Sequence, residues 1–313
     1  MVQRMPRMTM YAALGLMLSL HPTHAASAQH PTAAHTQLVI LGSGNPSPNP
    51  GRMGPSLAII VRGAPYLVDA GTGVVRRASA ASAQGVKGLE MRNLSRVFIT
   101  HLHSDHTIGL PDLMSTPWIM GRTDPLEVYG PPGISAMMDH LFQAYSADND
   151  IRINGLEQGN KTGNIVHAHE ITPGVVYQDS NVKVTAFLVK HGSWTAAFGY
   201  RFDTPDRSIV VSGDASPSES VVEACNGCDV LVHEVYTEAG YKASKAAWQD
   251  YSRHFHTSAP QLGELATRAH PKLLLLFHQM YFGGPKDTDA GLMKEIHAAY
   301  KGKVISAHDL GIY

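Results

Sequence analysis

The chain is poor in cysteine, in charge and in long apolar stretches, and each shortage removes a class of protein. Only two Cys occur in 313 residues, Cys225 and Cys228. A disulfide-framed small fold or a zinc ribbon needs more than one such pair. Charged residues make up 16% of the chain, 25 Lys+Arg against 26 Asp+Glu, with no run of one sign. A protein that tracks along nucleic acid usually carries a basic stripe, and only scattered pairs such as Arg76-Arg77 are present. No apolar run reaches the ~20 residues that cross a bilayer. Low-complexity tracts and repeats of short fixed period are also missing.

What is present begins with an export pattern. Arg4 and Arg7 precede the apolar run Met8 to Leu20, and Ala25-Ala26-Ser27-Ala28 follows. This is the order of a secretory signal, with cleavage expected before Gln29. Residues 1–28 are then a signal peptide and residues 29–313 one mature domain, periplasmic or secreted, with no membrane attachment after cleavage. No Cys follows the apolar run to carry a lipid, and Met5-Pro6 breaks any twin-arginine pattern. Loss of the two arginines takes the formal charge from −1 to −3. In an oxidising compartment Cys225-Asn226-Gly227-Cys228 can close as a small disulfide or stand as free thiols. A redox pair would more often open a helix, whereas this one follows a helix candidate.

Short apolar runs alternate with helical stretches. Strands are expected at 37–41, 57–61, 66–68, 97–99, 126–129, 182–189, 209–211, 230–232, 273–277 and 304–306. Helices are expected from Pro132 to Ala144, after Ser216-Pro217-Ser218-Glu219, and over 258–269. The Gly-rich stretch Asp148 to Gln178 reads as a loop or short hairpin between two halves.

The densest chemistry lies in Thr100-His101-Leu102-His103-Ser104-Asp105-His106. His101 and His103 project the same way from an extended chain, and Asp105 and His106 fall where the chain turns into a helix. Imidazole with carboxylate suits zinc and its first-row neighbours. Two divalent ions ~3.5–4 Å apart bring the pKa of a shared water toward neutrality. They also neutralise charge that builds on an attacked phosphoryl, sulfuryl or acyl group.

This motif resembles the signature of the metallo-β-lactamase superfamily, and four further motifs resemble it in order. They are Leu67-Val68-Asp69-Ala70-Gly71-Thr72-Gly73, Val189-Lys190-His191-Gly192, Val210-Val211-Ser212-Gly213-Asp214, and Leu273 to Phe277 followed by His278. Leu231-Val232-His233-Glu234 and His254-Phe255-His256-Thr257-Ser258 resemble motifs of the ribonuclease Z and arylsulfatase-like branch, as do Gly109 to Leu113 and Leu126 to Gly133. The resemblance covers essentially the whole mature chain. It implies an α/β fold, a single-domain αββα sandwich, and two divalent ions, zinc first, with manganese or iron as alternatives. By that similarity His101, His103 and His191 hold one ion, Asp105, His106 and His278 the other, and Asp214 bridges them. Asp69 supports the metal loop, and Glu234 with His256 forms a carboxylate–imidazole pair above it, so that Asp105, Glu234 and His256 carry catalysis.

The implied activity is hydrolysis of phosphodiester or sulfate esters of small molecules. Trimming of tRNA 3′ ends is the second expectation, and lactone or β-lactam opening the third. Ribonuclease Z enzymes grip tRNA with a basic arm, commonly between the third-motif histidine and the bridging aspartate. Here His191 and Asp214 are 23 positions apart, with room for a hairpin only. Asp148 to Gln178, the other place for an arm, offers only Arg152 and Lys161. With the negative charge, this points to a small ester substrate rather than nucleic acid. A second copy of the chain remains open as a partner.

Other polar and aromatic residues are weaker candidates. His167-Ala168-His169-Glu170 has metal-like spacing in a stretch matching no motif and reads as surface. His254 is expected on the opposite face of an extended segment from His256. His308-Asp309 reads as sheet-end packing, and Trp118, Met120, Trp194, Phe198, Trp248, Tyr251 and Tyr281 as either pocket lining or core.

Overall fold

A computed structural model describes residues 36–283 and 287–313. The expected signal peptide and its cleavage point lie outside these residues. Two sheets form the centre. The first runs in the order β1 (Thr36–Gly42), β2 (Ser56–Val61), β3 (Ala64–Val68), β4 (Arg96–Phe98), β5 (Leu126–Gly130) and β6 (Val166–Glu170). The second comprises β7 (Gly174–Gln178), β8 (Lys183–His191), β9 (Trp194–Asp203), β10 (Ser208–Val211), β11 (Val230–Tyr236), β12 (Leu273–Met280) and β13 (Val304–Ser306), in reverse spatial order from β13 to β7.

Alternate residues of each strand serve different cores, as the period of two requires. Leu38, Ile40, Ile59, Tyr66 and Phe98 meet Val184, Tyr200, Phe202, Val232 and Leu275 between the sheets. Their neighbours Val39, Leu41, Ala58 and Leu67 face outward under α1 (Val74–Ala83), α3 (Leu110–Ile119) and α4 (Ile134–Ala144). On the opposite side Val210, Leu231 and Leu274 pack under α6 (Glu219–Cys225), α9 (Ala259–Ala269) and α10 (Asp289–Ala299). Strands covered on both faces read as continuous apolar runs, which is why β2, β11 and β12 are legible in the sequence. This is the expected αββα sandwich.

Between these elements lie the one-turn helix α2 (Ser104–Thr107), α5 (Ser146–Asn154), α7 (Glu238–Ala243) and α8 (Ala246–Phe255). Ser258 caps α9 with a full capping box, its side chain on Gln261 N and the Gln261 side chain back on Ser258 N. Cys225 and Cys228 form a disulfide at the end of α6. Among the described residues no helix is long and apolar enough to cross a membrane.

Two expectations need correction. Asp148 to Gln178 is not a loop or hairpin, because it contains part of α5 and two strands in different sheets. β6 pairs parallel with β5, and β7 pairs antiparallel with β8. Val166-His167-Ala168-His169 does alternate, with Val166 and Ala168 packed on the outer core, but the glycines around it hide this. His254 is also not in an extended segment, since α8 continues to Phe255 and His256 N still bonds Ser252 O at 2.9 Å. Tyr251 and Phe255, four apart, stack at 4.4 Å and reinforce that last turn.

Candidate metal centre

The motif residues gather at the C-terminal ends of strands from both sheets. His101 and His103 follow β4, His191 ends β8, Asp214 follows β10, Glu234 lies in β11 and His278 in β12. Placing Asp105 and His106 in α2 turns them toward the same point.

Two donor groups result, His101 with His103, His191 and Asp214, and Asp105 with His106 and His278. In the first, His103 Nδ1 lies 2.9 Å from His101 Nε2 and 3.1 Å from His191 Nε2. In the second, Asp105 Oδ2 is 3.2 Å from His278 Nε2 and 3.5 Å from His106 Nε2. Asp214 Oδ2 stands 3.4 Å from both His106 Nε2 and His278 Nε2, so this carboxylate belongs to both groups. Donors ~2.0–2.1 Å from a tetrahedral ion are ~3.3 Å from one another, and these separations fit within a few tenths of an ångström. His106 Nε2 and Asp214 Oδ1 are buried and have no hydrogen-bond partner. Nitrogen and oxygen donors at this spacing, with orphaned atoms among them, suit two divalent ions.

Second contacts aim the imidazoles. His106 Nδ1 donates to Asp69 Oδ2 at 2.8 Å, leaving Nε2 free to face the carboxylates. Asp69 also accepts from Thr100 N at 2.8 Å, and Thr100 Oγ1 contacts His101 Nδ1 at 3.0 Å. His191 Nδ1 donates to Phe255 O at 2.8 Å. That contact needs Gly192 at φ +54, because a Cβ there would sit 2.1 Å from the Phe255 ring. Trp194 Nε1 donates to His103 Nε2 at 2.8 Å. A neutral His103 then carries its proton on Nδ1, so metal loading and this indole contact are linked. Asp69 and His278 both hold positive φ, +58 and +46, the local strain that clusters at functional sites.

Electrostatics follows from burial and crowding. Burial alone would lower His106, but Asp214, Asp69 and Asp105 hold it well above the ordinary imidazole value. His278 is raised against burial by Asp214 and Asp105. Asp214 is held well below the carboxylate range, against burial, chiefly by His278 and His106. The carboxylates thus draw cationic charge into the second group, and a divalent ion supplies such charge.

Glu234 and His256 sit beside Asp214. His256 Nδ1 is 3.5 Å from Glu234 Oε1 and 4.0 Å from Asp214 Oδ2. Glu234 Oε1 also accepts from Thr257 N at 2.9 Å and Ala215 N at 3.3 Å, joining the two loops that carry His256 and Asp214. Burial, with the charge of Asp214, pushes the Glu234 carboxyl well up, while burial holds His256 down to about 4.

All the candidate site residues therefore converge, whereas the weaker histidines lie elsewhere. His167 and His169 are exposed and bracket Glu127 at 2.8 and 2.7 Å, and His254 is exposed on α8. Asp309 accepts from Ser43 N and Met53 N, a structural tie. Trp118 and Phe198 are core and Met120 is exposed, while Trp248, Tyr251 and Tyr281 line a cavity at His256. The sequence does not show the supporting roles of Thr100 and the Phe255 carbonyl, and Trp194, expected as pocket lining or core, instead donates to His103. Thr100 adjoins the first motif histidine just after β4, a local signal, but contacts across the fold have none.

Comparison with known proteins agrees with this architecture. The model of the beta-lactamase superfamily domain matches residues 65–279. A protein named ribonuclease Z from Mycolicibacterium gilvum (strain PYR-GCK) is 31% identical over 245 residues, covering 77% of this chain and 83% of that protein. Among solved structures, the metallo-β-lactamase fold protein YhfI from Bacillus subtilis superposes with a TM-score of 0.67 at 19% identity, covering 89% of this chain and 99% of that one. The short form of human tRNase Z gives 0.62 at 23% identity, covering 88% and 98%. These two share the fold. The chain belongs to the metallo-β-lactamase superfamily of metal-dependent hydrolases acting on ester bonds, in its ribonuclease Z-like branch.

Proposed function

We propose that the chain is exported, loses residues 1–28, and as the mature domain 29–313 hydrolyses phosphodiester or sulfate esters of small molecules with two divalent ions. His101, His103 and His191 would hold one ion, Asp105, His106 and His278 the other, and Asp214 both. The nitrogen and carboxylate donors favour zinc. When bound, the ions supply Lewis acidity and bring water toward hydroxide at neutral pH. The observation that carries the reading is the Asp214 carboxylate shared between the two donor groups, with His256 beside it.

The remaining roles belong to the protein. Asp105 has 13% of its side chain accessible against 4% for Asp214, so it can hold and orient the attacking water. His256 gives a proton to the departing oxygen, and Glu234 fixes its position through Thr257. Export is supported by the N-terminal pattern and by the Cys225–Cys228 disulfide, which persists in oxidising compartments.

The identity with ribonuclease Z favours tRNA processing as a second reading. Against it, the stretch from His191 to Asp214 is filled by β9 and β10. Arg152 is engaged by Asp148 and Glu157 at 2.8 and 2.9 Å, and the mature charge of −3 repels a polyanion.

The test is a panel of bis-p-nitrophenyl phosphate, p-nitrophenyl sulfate, a homoserine lactone, a chromogenic cephalosporin and a pre-tRNA. Turnover is expected on the first two. His256→Ala should slow esters of poorly acidic alcohols about 100-fold and nitrophenyl esters far less, because nitrophenolate leaves without a proton. Efficient pre-tRNA trimming at physiological salt would overturn the proposal.

A further inference from the structure

A cavity of about 580 Å³ opens beside the metal centre, with His256 in its wall. Trp248 and Tyr251 of α8 form one side, and Met280 at the end of β12 with Tyr281 and Phe282 just after it form the other. The volume is that of a small-molecule site. Its described lining residues include no Lys, Arg, Asp or Glu, so none of them brings a fixed charge to neutralise a further phosphate. Its aromatic walls are held in place. Tyr251 stacks on Phe255 at 4.4 Å and meets Trp248 edge-on at 5.7 Å. The Tyr281 hydroxyl is tied to Asp289, and the Tyr236 and Phe282 rings meet at 6.2 Å.

The position of the cavity says which part of a substrate it takes. Hydrolysis adds the OH of water to the phosphorus or sulfur. The bond to the ester oxygen breaks with its electron pair on that oxygen, which then takes a proton. If His256 delivers that proton, the departing oxygen lies within hydrogen-bond reach of it, and the carbon skeleton on that oxygen lies in the cavity. We infer that this cavity is the leaving-group site and that the substrate is an ester of an uncharged, aromatic-sized alcohol or phenol. The inference rests on the hydrolase reading proposed above. An uncharged ring gains from offset or edge contacts with Trp248, Tyr251 and Phe282, whereas a nucleotide chain would carry phosphate charge against described residues that include no Lys or Arg, with Asn45, Ser47 and Ser252 as the polar groups beside His256.

Two measurements on the zinc-loaded mature protein separate this inference from the reading it rests on. One is direct binding of 2-naphthol, followed by calorimetry. The other is the ratio of kcat/KM for a 2-naphthyl and a methyl phosphodiester that share the retained alcohol. Trp248 is 55% exposed, so Trp248→Ala is compatible with folding, and Phe282→Ala is the second variant. Each should weaken naphthol binding and lower the naphthyl-to-methyl ratio by about 10-fold, with the ratio change in KM more than in kcat. Absence of naphthol binding, or an unchanged ratio in both variants while esters are cleaved, overturns the leaving-group site and leaves the hydrolase reading standing. Naphthol binding that depends on Trp248 in a protein that cleaves none of the esters overturns the hydrolase reading and, with it, the leaving-group role, leaving only an aromatic-binding cavity.

Discussion

Asp69→Asn isolates the contribution of a residue that touches the metal centre only through others. Asn keeps the volume and tolerates the φ of +58 that Asp69 holds, so a loss cannot be blamed on the backbone. The carboxylate accepts from His106 Nδ1 at 2.8 Å, from Thr100 N at 2.8 Å, and from Thr100 Oγ1 at 3.0 and 3.1 Å. An amide can satisfy only part of this. Turned one way, its NH2 meets the buried Thr100 N–H, at a cost of about 1–3 kcal/mol. Turned the other, it pushes the His106 proton onto Nε2, the nitrogen that faces Asp105 and Asp214. Losing an outer contact of this kind lowers metal affinity about 10–100-fold, equivalent to about 1.4–2.7 kcal/mol. The loss should fall on the site of Asp105, His106 and His278 more than on that of His101, His103 and His191. Competition with a chromophoric zinc chelator, read as two successive dissociation constants, measures this, and thermal melting of the zinc-free protein measures the folding cost. Unchanged constants, or equal losses at both sites, would refute the argument that Asp69 sets the His106 ring.

Two further outcomes follow from the scaffold. The Arg122 guanidinium is fully buried and donates to four carbonyls, of Leu94, Leu113, Met114 and Gly163, at 2.8–2.9 Å, so Arg122→Met should cost at least about 3 kcal/mol in urea unfolding, and a loss under 1 kcal/mol would contradict its role as a tie. Replacing Cys225 and Cys228 by Ser opens a short loop and should cost about 2 kcal/mol, with a matching shift when the wild type is reduced. Metal content should remain the same in that variant, because the disulfide lies at the far end of α6 from Asp214.

Legibility in the sequence followed physical cause. Strands buried on both faces, such as Leu273–Met280, announce themselves as apolar runs, and the donors sit at or just beyond their C-terminal ends, so both fold and donor set could be read from local pattern. Ser258 announced α9 because a cap is a local device. β6 did not, because an exposed edge strand carries His167 and His169 where a buried one carries apolar residues. α8 was misjudged because its amphipathic face is organised by the cavity and by Phe255 packing on His191 (5.1 Å between rings). Nothing local in the sequence marks Arg122, since the carbonyls it meets come from separate parts of the chain. The cavity was legible only as a list of aromatic residues, since its two walls, α8 and the segment after β12, lie about 30 positions apart.

The central claim is a dinuclear centre bridged by Asp214, and the zinc content of the reconstituted mature protein tests it most directly. Elemental analysis against protein concentration should give two ions per chain for the wild type, one for His278→Ala, and losses at both sites for Asp214→Asn. One ion in the fully loaded wild type, or an Asp214→Asn variant that still holds two as tightly, would contradict it.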